Sequence, residues 1–267
     1  RLKSHIRMYS LVGNHNMADE NDPTINNLVP LSRMIIPIDS HEWTIQIGDT
    51  AFFAMPYYRD INKWQLDFAK VWHRAEIIKK FVKRIVFVGH QDISGAKPGT
   101  HRYTAQGGID PKILMESPFD WLVFGHYHKH QWVNPKTFYL GAALQQEFGE
   151  ESNPQGYWIY NDELSNPWTY EPFDQEMMGC FFTVYSEKTI PPNSKHFFRL
   201  RPQQELKQEE IPVGNIRVEQ PVTVDSKARI SIECFESMQK LVSAYLDFKL
   251  KDNATERQRI QTLLQGL

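Results

Sequence analysis

At 267 residues, with 41% hydrophobic and 23% charged positions, the chain has the composition of a globular protein with a sizeable core, which excludes a disordered or fibrous one. A formal net charge of −2 argues against a uniformly basic nucleic-acid binder, although local basic patches and bound metal ions can act on phosphates within a neutral total. No apolar run approaches the roughly 18 residues that cross a bilayer, residues 1–5 carry no apolar leader, and Cys180 and Cys234 form no C-x-x-C pair, argue for no disulfide framework and read as structural or surface thiols.

In chain order, residues 7–12 read as a strand, followed by strands at 34–38, 43–47, 51–55, 85–88, 121–124, 138–140 and 157–160. Between 61 and 82, Trp64, Phe68, Val71, Trp72, Ile77, Ile78 and Phe81 recur at helical spacing. Strands separated by a helix and polar loops imply an α/β layered domain. Because several strands follow one another without helices, a two-sheet sandwich flanked by helices is expected rather than a doubly wound parallel sheet. A strand this soon after Arg1 reads as the interior of a domain, so an upstream continuation is expected.

From residue 166 proline becomes frequent, as at Pro167, Pro172, Pro191 and Pro192, and short strand-like runs lie at 180–185, 196–200 and 215–218. The last segment places Met238, Leu241, Val242, Tyr245 and Leu246, then Ile260, Leu263 and Leu264, on helical faces, with Thr255 able to cap the second helix. Three parts are therefore expected: a main domain over 1–165, a small α+β cap over 166–235, and a helical tail over 236–267.

Three Gly-His elements each follow an apolar strand. They are Gly13-Asn14-His15, Gly89-His90 and Gly125-His126-Tyr127-His128. Glycine at a strand end permits a tight turn, and the side chains that follow would emerge at one edge of a sheet, where layered α/β proteins place ligand sites. Imidazole nitrogens and an amide oxygen suit borderline divalent metals. A lone histidine there would be structural; three elements in this order point to a metal centre. His5, His41, His73 and His196 have no such context, and His130 is expected to support the site from behind the ligands or to lie at the surface, rather than to bind metal.

These elements resemble the third, fourth and fifth motifs of the calcineurin-like metallophosphoesterases, G-N-H-[D/E], G-H and G-H-x-H. The resemblance implies two divalent ions, most simply manganese. It makes Asn14, His90 and His126 ligands of one ion, His128 a ligand of the other, and His15 the catalytic histidine. The family's first two motifs, D-x-H and G-D-x-x-D, are not in this sequence and are expected upstream; Gly48-Asp49 is no substitute, since it follows the third motif and reads as a β-turn. Asn16 stands where the family carries an acidic residue, so it is expected to support the geometry by hydrogen bonding without a carboxylate's charge.

Within the family, the SbcD-type branch of recombination exonuclease subunits is the nearest in pattern. Tyr139-Leu140-Gly141-Ala142-Ala143, the acidic stretch Glu147–Glu151 and Gly156–Tyr160 resemble the segment after that branch's last motif, with Ala142-Ala143 in place of its Ser/Thr-Pro. Phe52–Tyr57 resembles its strand-Pro-aromatic element. The resemblance implies a metal-dependent DNA exo/endonuclease in recombination and double-strand-break repair, in a bacterial cytoplasm or a phage-infected host. It also implies a homodimer, with the tail docking on an SbcC-like ATPase of the SMC family. Lys97, His101, Arg102 and Tyr103 after the second element, and Arg199 and Arg201 in the cap, are candidate DNA contacts. Two other readings stay open: a small-molecule phosphoesterase of the same superfamily, and a catalytically degenerate scaffold subunit.

Overall fold

The computed structural model describes residues 6–19, 22–98, 105, 107–174, 178–204, 206 and 214–220. By its contacts the chain divides into two compact units, Arg1–Glu219 and Gln220–Leu267. The expected helical tail, Cys234, His5, His101, Arg102 and Tyr103 lie outside the described residues.

The elements run β1 (Tyr9–Leu11), β2 (Met17–Asp19), β3 (Asp22–Asn26), β4 (Ile36–Ile38), β5 (Thr44–Ile47), β6 (Thr50–Met55), α1 (Ile61–Ile78) and β7 (Arg84–His90). They continue with α2 (Pro111–Glu116), β8 (Trp121–Gly125), β9 (Gln131–Asn134), β10 (Thr137–Tyr139), β11 (Gly156–Tyr160), β12 (Trp168–Pro172), β13 (Phe181–Val184), β14 (Phe197–Leu200) and β15 (Ile216–Val218). Among the described residues this is the mixed α/β character that the sequence implies, rich in strands and sparing in helix.

A six-stranded sheet, ordered β5-β6-β7-β8-β10-β9, forms the centre. Strands β6, β7, β8 and β10 are parallel, and antiparallel β5 and β9 close the two edges. The parallel strands are nearly continuous apolar runs, as strands covered on both faces must be. The turn from β5 to β6 is the two-residue Gly48-Asp49 link, with Gly48 at φ 57°, the left-handed conformation that tight hairpins require.

Helix α1 covers one face. Asp60 caps it by accepting from the Asn62 N–H at 2.9 Å. Trp64, Phe68, Val71 and Ala75, spaced at i, i+4, i+7 and i+11, are fully buried against Phe53, Phe87 and Phe119. The rings form a continuous cluster, with Trp64 stacked on Phe68 at 4.6 Å and Phe68 meeting Phe87 edge-on at 5.2 Å. Each such side chain contributes about 1.5–3 kcal/mol by leaving water. The helix stops at Ile78, short of the expected 82, because the chain must turn so that Lys83 and Arg84 can donate to the Asp49 carbonyl and enter β7. Phe81, which the periodicity would put on the buried face, is consequently 80% exposed.

The opposite face is covered by the β11–β12 hairpin. Trp158, Tyr160 and Trp168 pack on Val86, Val123 and Phe138, and Trp158 Nε1 donates to the Leu140 carbonyl at 3.0 Å. The ladder between β11 and β12 crosses residue 165, so Trp168 is part of the layer on this sheet. Beyond it, β13, β14 and β15 form a separate parallel sheet of three short strands.

One buried polar contact ties α1 to the loop that leads to the sheet edge. The Tyr58 hydroxyl donates to Asp67 Oδ2 at 3.0 Å, and Lys70 donates to Oδ1 at 2.6 Å. Burial pushes the Asp67 carboxyl up, but these donors and the nearby His41 outweigh it, leaving its pKa below the ordinary value. A carboxyl lowered on folding gives stability that is present above the ordinary carboxylate pKa and lost as pH falls through the lowered one. Tyr58→Phe is therefore expected to cost about 1 kcal/mol at neutral pH and to move the acid-unfolding midpoint upward, as thermal and acid denaturation would record.

Candidate functional site

The parallel strands deliver their C-terminal ends to one edge. Gly89 pairs in register with Phe124, and His90 with Gly125, so the second and third Gly-His elements leave the sheet side by side. The first arrives from outside the central sheet. Strand β1 pairs with β4, and the Tyr57 N–H, just past β6, donates to the Val12 carbonyl at 2.9 Å, which brings Gly13-Asn14-His15 to the same edge.

There the sequence-predicted residues meet. His90 Nε2 and Asn14 Oδ1 are 3.0 Å apart, and the His90 and His126 ring centroids are 5.1 Å apart. Tyr57 stacks on His126 at 5.8 Å and meets His90 edge-on at 6.1 Å. Burial first, and then the proximity of His126, His15 and His128, pushes the His90 pKa down to about 4 against the opposing pull of Asp92. His90 is thus a neutral imidazole near pH 7, the form that binds metal. The same interactions place His15, His126 and His128 within electrostatic reach of His90. His15 is solvent-exposed on the short 3-10 turn Asn14–Asn16.

The motif glycines are needed for a different reason from the one the sequence suggests. None of the three has positive φ. They are small because something touches them: a Cβ on Gly13 would stand 2.7 Å from His90 Cε1, one on Gly125 would stand 2.9 Å from His90 Nδ1, and one on Gly89 would meet Phe124 and Phe87 at 2.7 and 2.8 Å. The unusual backbone falls on His126 instead, at φ 99°.

Asn16 closes the turn. Its side-chain oxygen accepts from the Gly13 N–H at 3.0 Å and its amide donates to Asn27 Oδ1 at 3.0 Å, so it anchors the loop after β1 to the end of β3. His130 packs against Tyr170 at 4.5 Å and Trp158 at 6.3 Å. His196 accepts the Cys180 N–H at 3.1 Å, a structural role.

Of the candidate DNA contacts, the Lys97 backbone N–H donates to Gln131 Oε1 at 2.8 Å, beside the cleft that holds His126 and His128. Arg199 donates to Thr183 Oγ1 at 2.7 Å and lies over the Phe148 ring at 5.0 Å; Arg201 donates to Glu219 at 2.8 Å. Both arginines already have partners within the fold.

Two acidic residues at the site escape the motif reading. Asp92, two positions after His90, lies 3.0 Å from His126 Nε2 and accepts from the Tyr127 hydroxyl at 2.6 Å. Burial raises its pKa, but these hydrogen bonds and the nearby imidazoles more than offset that, so the carboxylate stays ionised. Glu150, within the acidic stretch that the sequence flags without a role, is hydrogen-bonded to His128 Nδ1. Its signal is positional, since an acidic loop must pass the last motif, but spacing alone gives no partner. An amide also escapes it: the Gln91 side chain accepts from the Tyr58 N–H at 3.2 Å and donates to the Tyr58 carbonyl at 2.9 Å, fixing the loop that presents Tyr57.

The donor set suits a divalent ion. A neutral imidazole and an amide oxygen 3.0 Å apart have the separation of adjacent ligands on an ion with bonds of about 2.1 Å. It is a partial set, because among the described residues no group of three or more His, Cys, Asp and Glu is disposed to hold an ion alone. Also among the described residues, no helix is long and apolar enough to cross a membrane. No family model and no curated protein matches the chain.

Proposed function

We propose that this chain is a calcineurin-like metallophosphoesterase of the SbcD type, a manganese-dependent DNA exo/endonuclease subunit. The observation that carries the reading is the convergence of three strand-end Gly-His elements on one sheet edge, with His90 within 3.0 Å of Asn14 and beside His126. The helix-covered central sheet with an aromatic hairpin on its other face suits the layered sandwich of that family. The same reading supplies the partners proposed for it: linear DNA, a second copy of the chain and an SMC-family ATPase.

In this reading Asn14, His90 and His126 hold one ion and His128 the other, with further carboxylate ligands from the family's two upstream motifs. Bound there, divalent metal supplies Lewis-acid activation of the phosphoryl group and of water. His15 is exposed on a short turn that the Gly13 N–H to Asn16 Oδ1 bond closes, where it can give a proton to the leaving oxygen. Tyr57 and the Gln91-anchored loop beneath it limit the motion of the His90 and His126 rings, so the ligands are positioned before metal arrives.

The protein bearing both upstream motifs is expected to hydrolyse linear double-stranded DNA with manganese. His15→Ala is expected to slow hydrolysis at least ~100-fold, in the range general acid catalysis contributes, and His126→Ala to lose it together with metal affinity. Hydrolysis of a small aryl phosphodiester but not of DNA would replace the nuclease with a small-molecule phosphoesterase. Metal binding with neither activity would make the chain a scaffold.

A further inference from the structure

Glu150 is a carboxylate only 4% exposed, and both of its oxygens are engaged. One is hydrogen-bonded to His128 Nδ1; the other accepts the Gln146 backbone N–H at 2.8 Å. A buried carboxylate persists where its partners offset desolvation, so this one is held in place by what it binds.

The turn that carries it is seated on the three-stranded sheet. Phe148 meets Phe181 edge-on at 4.9 Å, and Gln145 Oε1 accepts the Phe181 N–H at 2.7 Å. Arg199, bonded to Thr183, covers the Phe148 ring. His128 itself is one-third exposed and lines an open cleft of 540 Å³ with His126 and Glu147. A carboxylate on one imidazole nitrogen decides what the other nitrogen can do: it accepts the Nδ1 proton, fixes the ring plane and leaves a lone pair on Nε2.

We infer that Glu150 is a positioning residue that holds the proton of His128 on Nδ1 and presents Nε2 to the cleft as a metal donor, and that the β13–β15 sheet serves to seat it. This rests on the metal reading of His128. Loosening that sheet would then reach the metal centre through one turn of chain, without touching a ligand.

The test uses metal-free protein labelled with [15N]histidine, long-range 1H–15N spectra to read the tautomer, and Zn2+ as a diamagnetic probe in calorimetry. Wild type is expected to show a protonated Nδ1 and an unprotonated Nε2 at His128. In Glu150→Gln the side-chain NH2 can donate to Nδ1, so the proton is expected to shift toward Nε2 and Zn2+ affinity to fall about 10–100-fold. Phe181→Leu, which keeps every polar group and loosens the seat, is expected to give a smaller loss and carries the test if Glu150→Gln does not fold. A wild-type His128 protonated on Nε2, or on both nitrogens, overturns the inference, as does unchanged Zn2+ affinity in both variants. The expected tautomer in a wild type that binds no Zn2+ overturns the metal reading instead, and with it the purpose assigned to Glu150.

Discussion

Gly13→Ala is expected to fold and to lose divalent-metal affinity at the strand edge by at least ~10-fold, the scale of disturbing what orients a metal-binding side chain. The backbone at Gly13, φ −96° and ψ 175°, is open to any residue, so the effect is not conformational. It is steric. The new methyl would stand 2.7 Å from His90 Cε1 and 2.9 Å from Nε2. The ring cannot simply slide away, because the Gly125 backbone lies against its Nδ1 side and the rings of His126 and Tyr57 stand at 5.1 and 6.1 Å. The cheapest relief is rotation of His90 away from Asn14, which breaks the 3.0 Å approach between the two donors. Overpacking of this kind costs about 1–3 kcal/mol, so thermal denaturation and metal calorimetry should both register it. Gly107 is the control: a Cβ there meets nothing within 4 Å, and Gly107→Ala should change neither reading. A Gly13→Ala protein that binds metal like wild type would remove His90 from the ligand set.

Much of this edge is readable from residues alone, and the reasons are physical. A strand whose two faces are both covered is written as an unbroken apolar run, which is why Arg84–His90 and Trp121–Gly125, and the motifs at their ends, stand out. Helix α1 is legible because one face must repeat Trp64, Phe68, Val71 and Ala75. What is not legible is short or depends on partners distant in sequence. Helix α2 has six residues, less than two turns, so no periodicity develops; its signals are the Asp110 cap and Pro111 at the first position. Strand β12 takes its meaning from β11, and β9 from β10. Strand β2 has only three residues, and β3, although Asp22-Pro23-Thr24-Ile25-Asn26 alternates, carries a proline that argues against a strand.

The site divides the same way. Histidines that follow strands announce themselves by position, whereas Asp92 and Glu150 matter through a ring nitrogen supplied 34 and 22 residues away. The glycines mislead for a related reason. In sequence a glycine suggests freedom of φ, but at Gly13 and Gly125 it records the closeness of an imidazole, which only the folded chain reveals. Arg199 and Arg201 are basic residues in a plausible place, yet their charges are directed at Thr183, Phe148 and Glu219.

The strain that the glycines avoid is carried by His126, and this gives an expected inversion of a familiar order. At φ 99° a residue with a Cβ is held in a conformation costing about 1 kcal/mol or more. Alanine at this position would keep the strain and lose the ring, with its approach to Asp92 at 3.0 Å and its stack on Tyr57 at 5.8 Å. Glycine would lose the same contacts but release the strain. His126→Gly is therefore expected to be more stable than His126→Ala by about 1 kcal/mol, against the usual penalty for glycine, when both are measured by chemical denaturation without metal. Both should bind metal more weakly than wild type, since both lack the imidazole. The pair separates two contributions that a single substitution would merge, the ring as a ligand and the backbone as its mount. If alanine and glycine prove equally stable, the backbone at 126 relaxes freely and the ring is not held there by the turn. If glycine is the more stable, the chain keeps a costly conformation because it turns the imidazole toward His90 and Asp92, and that cost marks the edge as a site rather than a core.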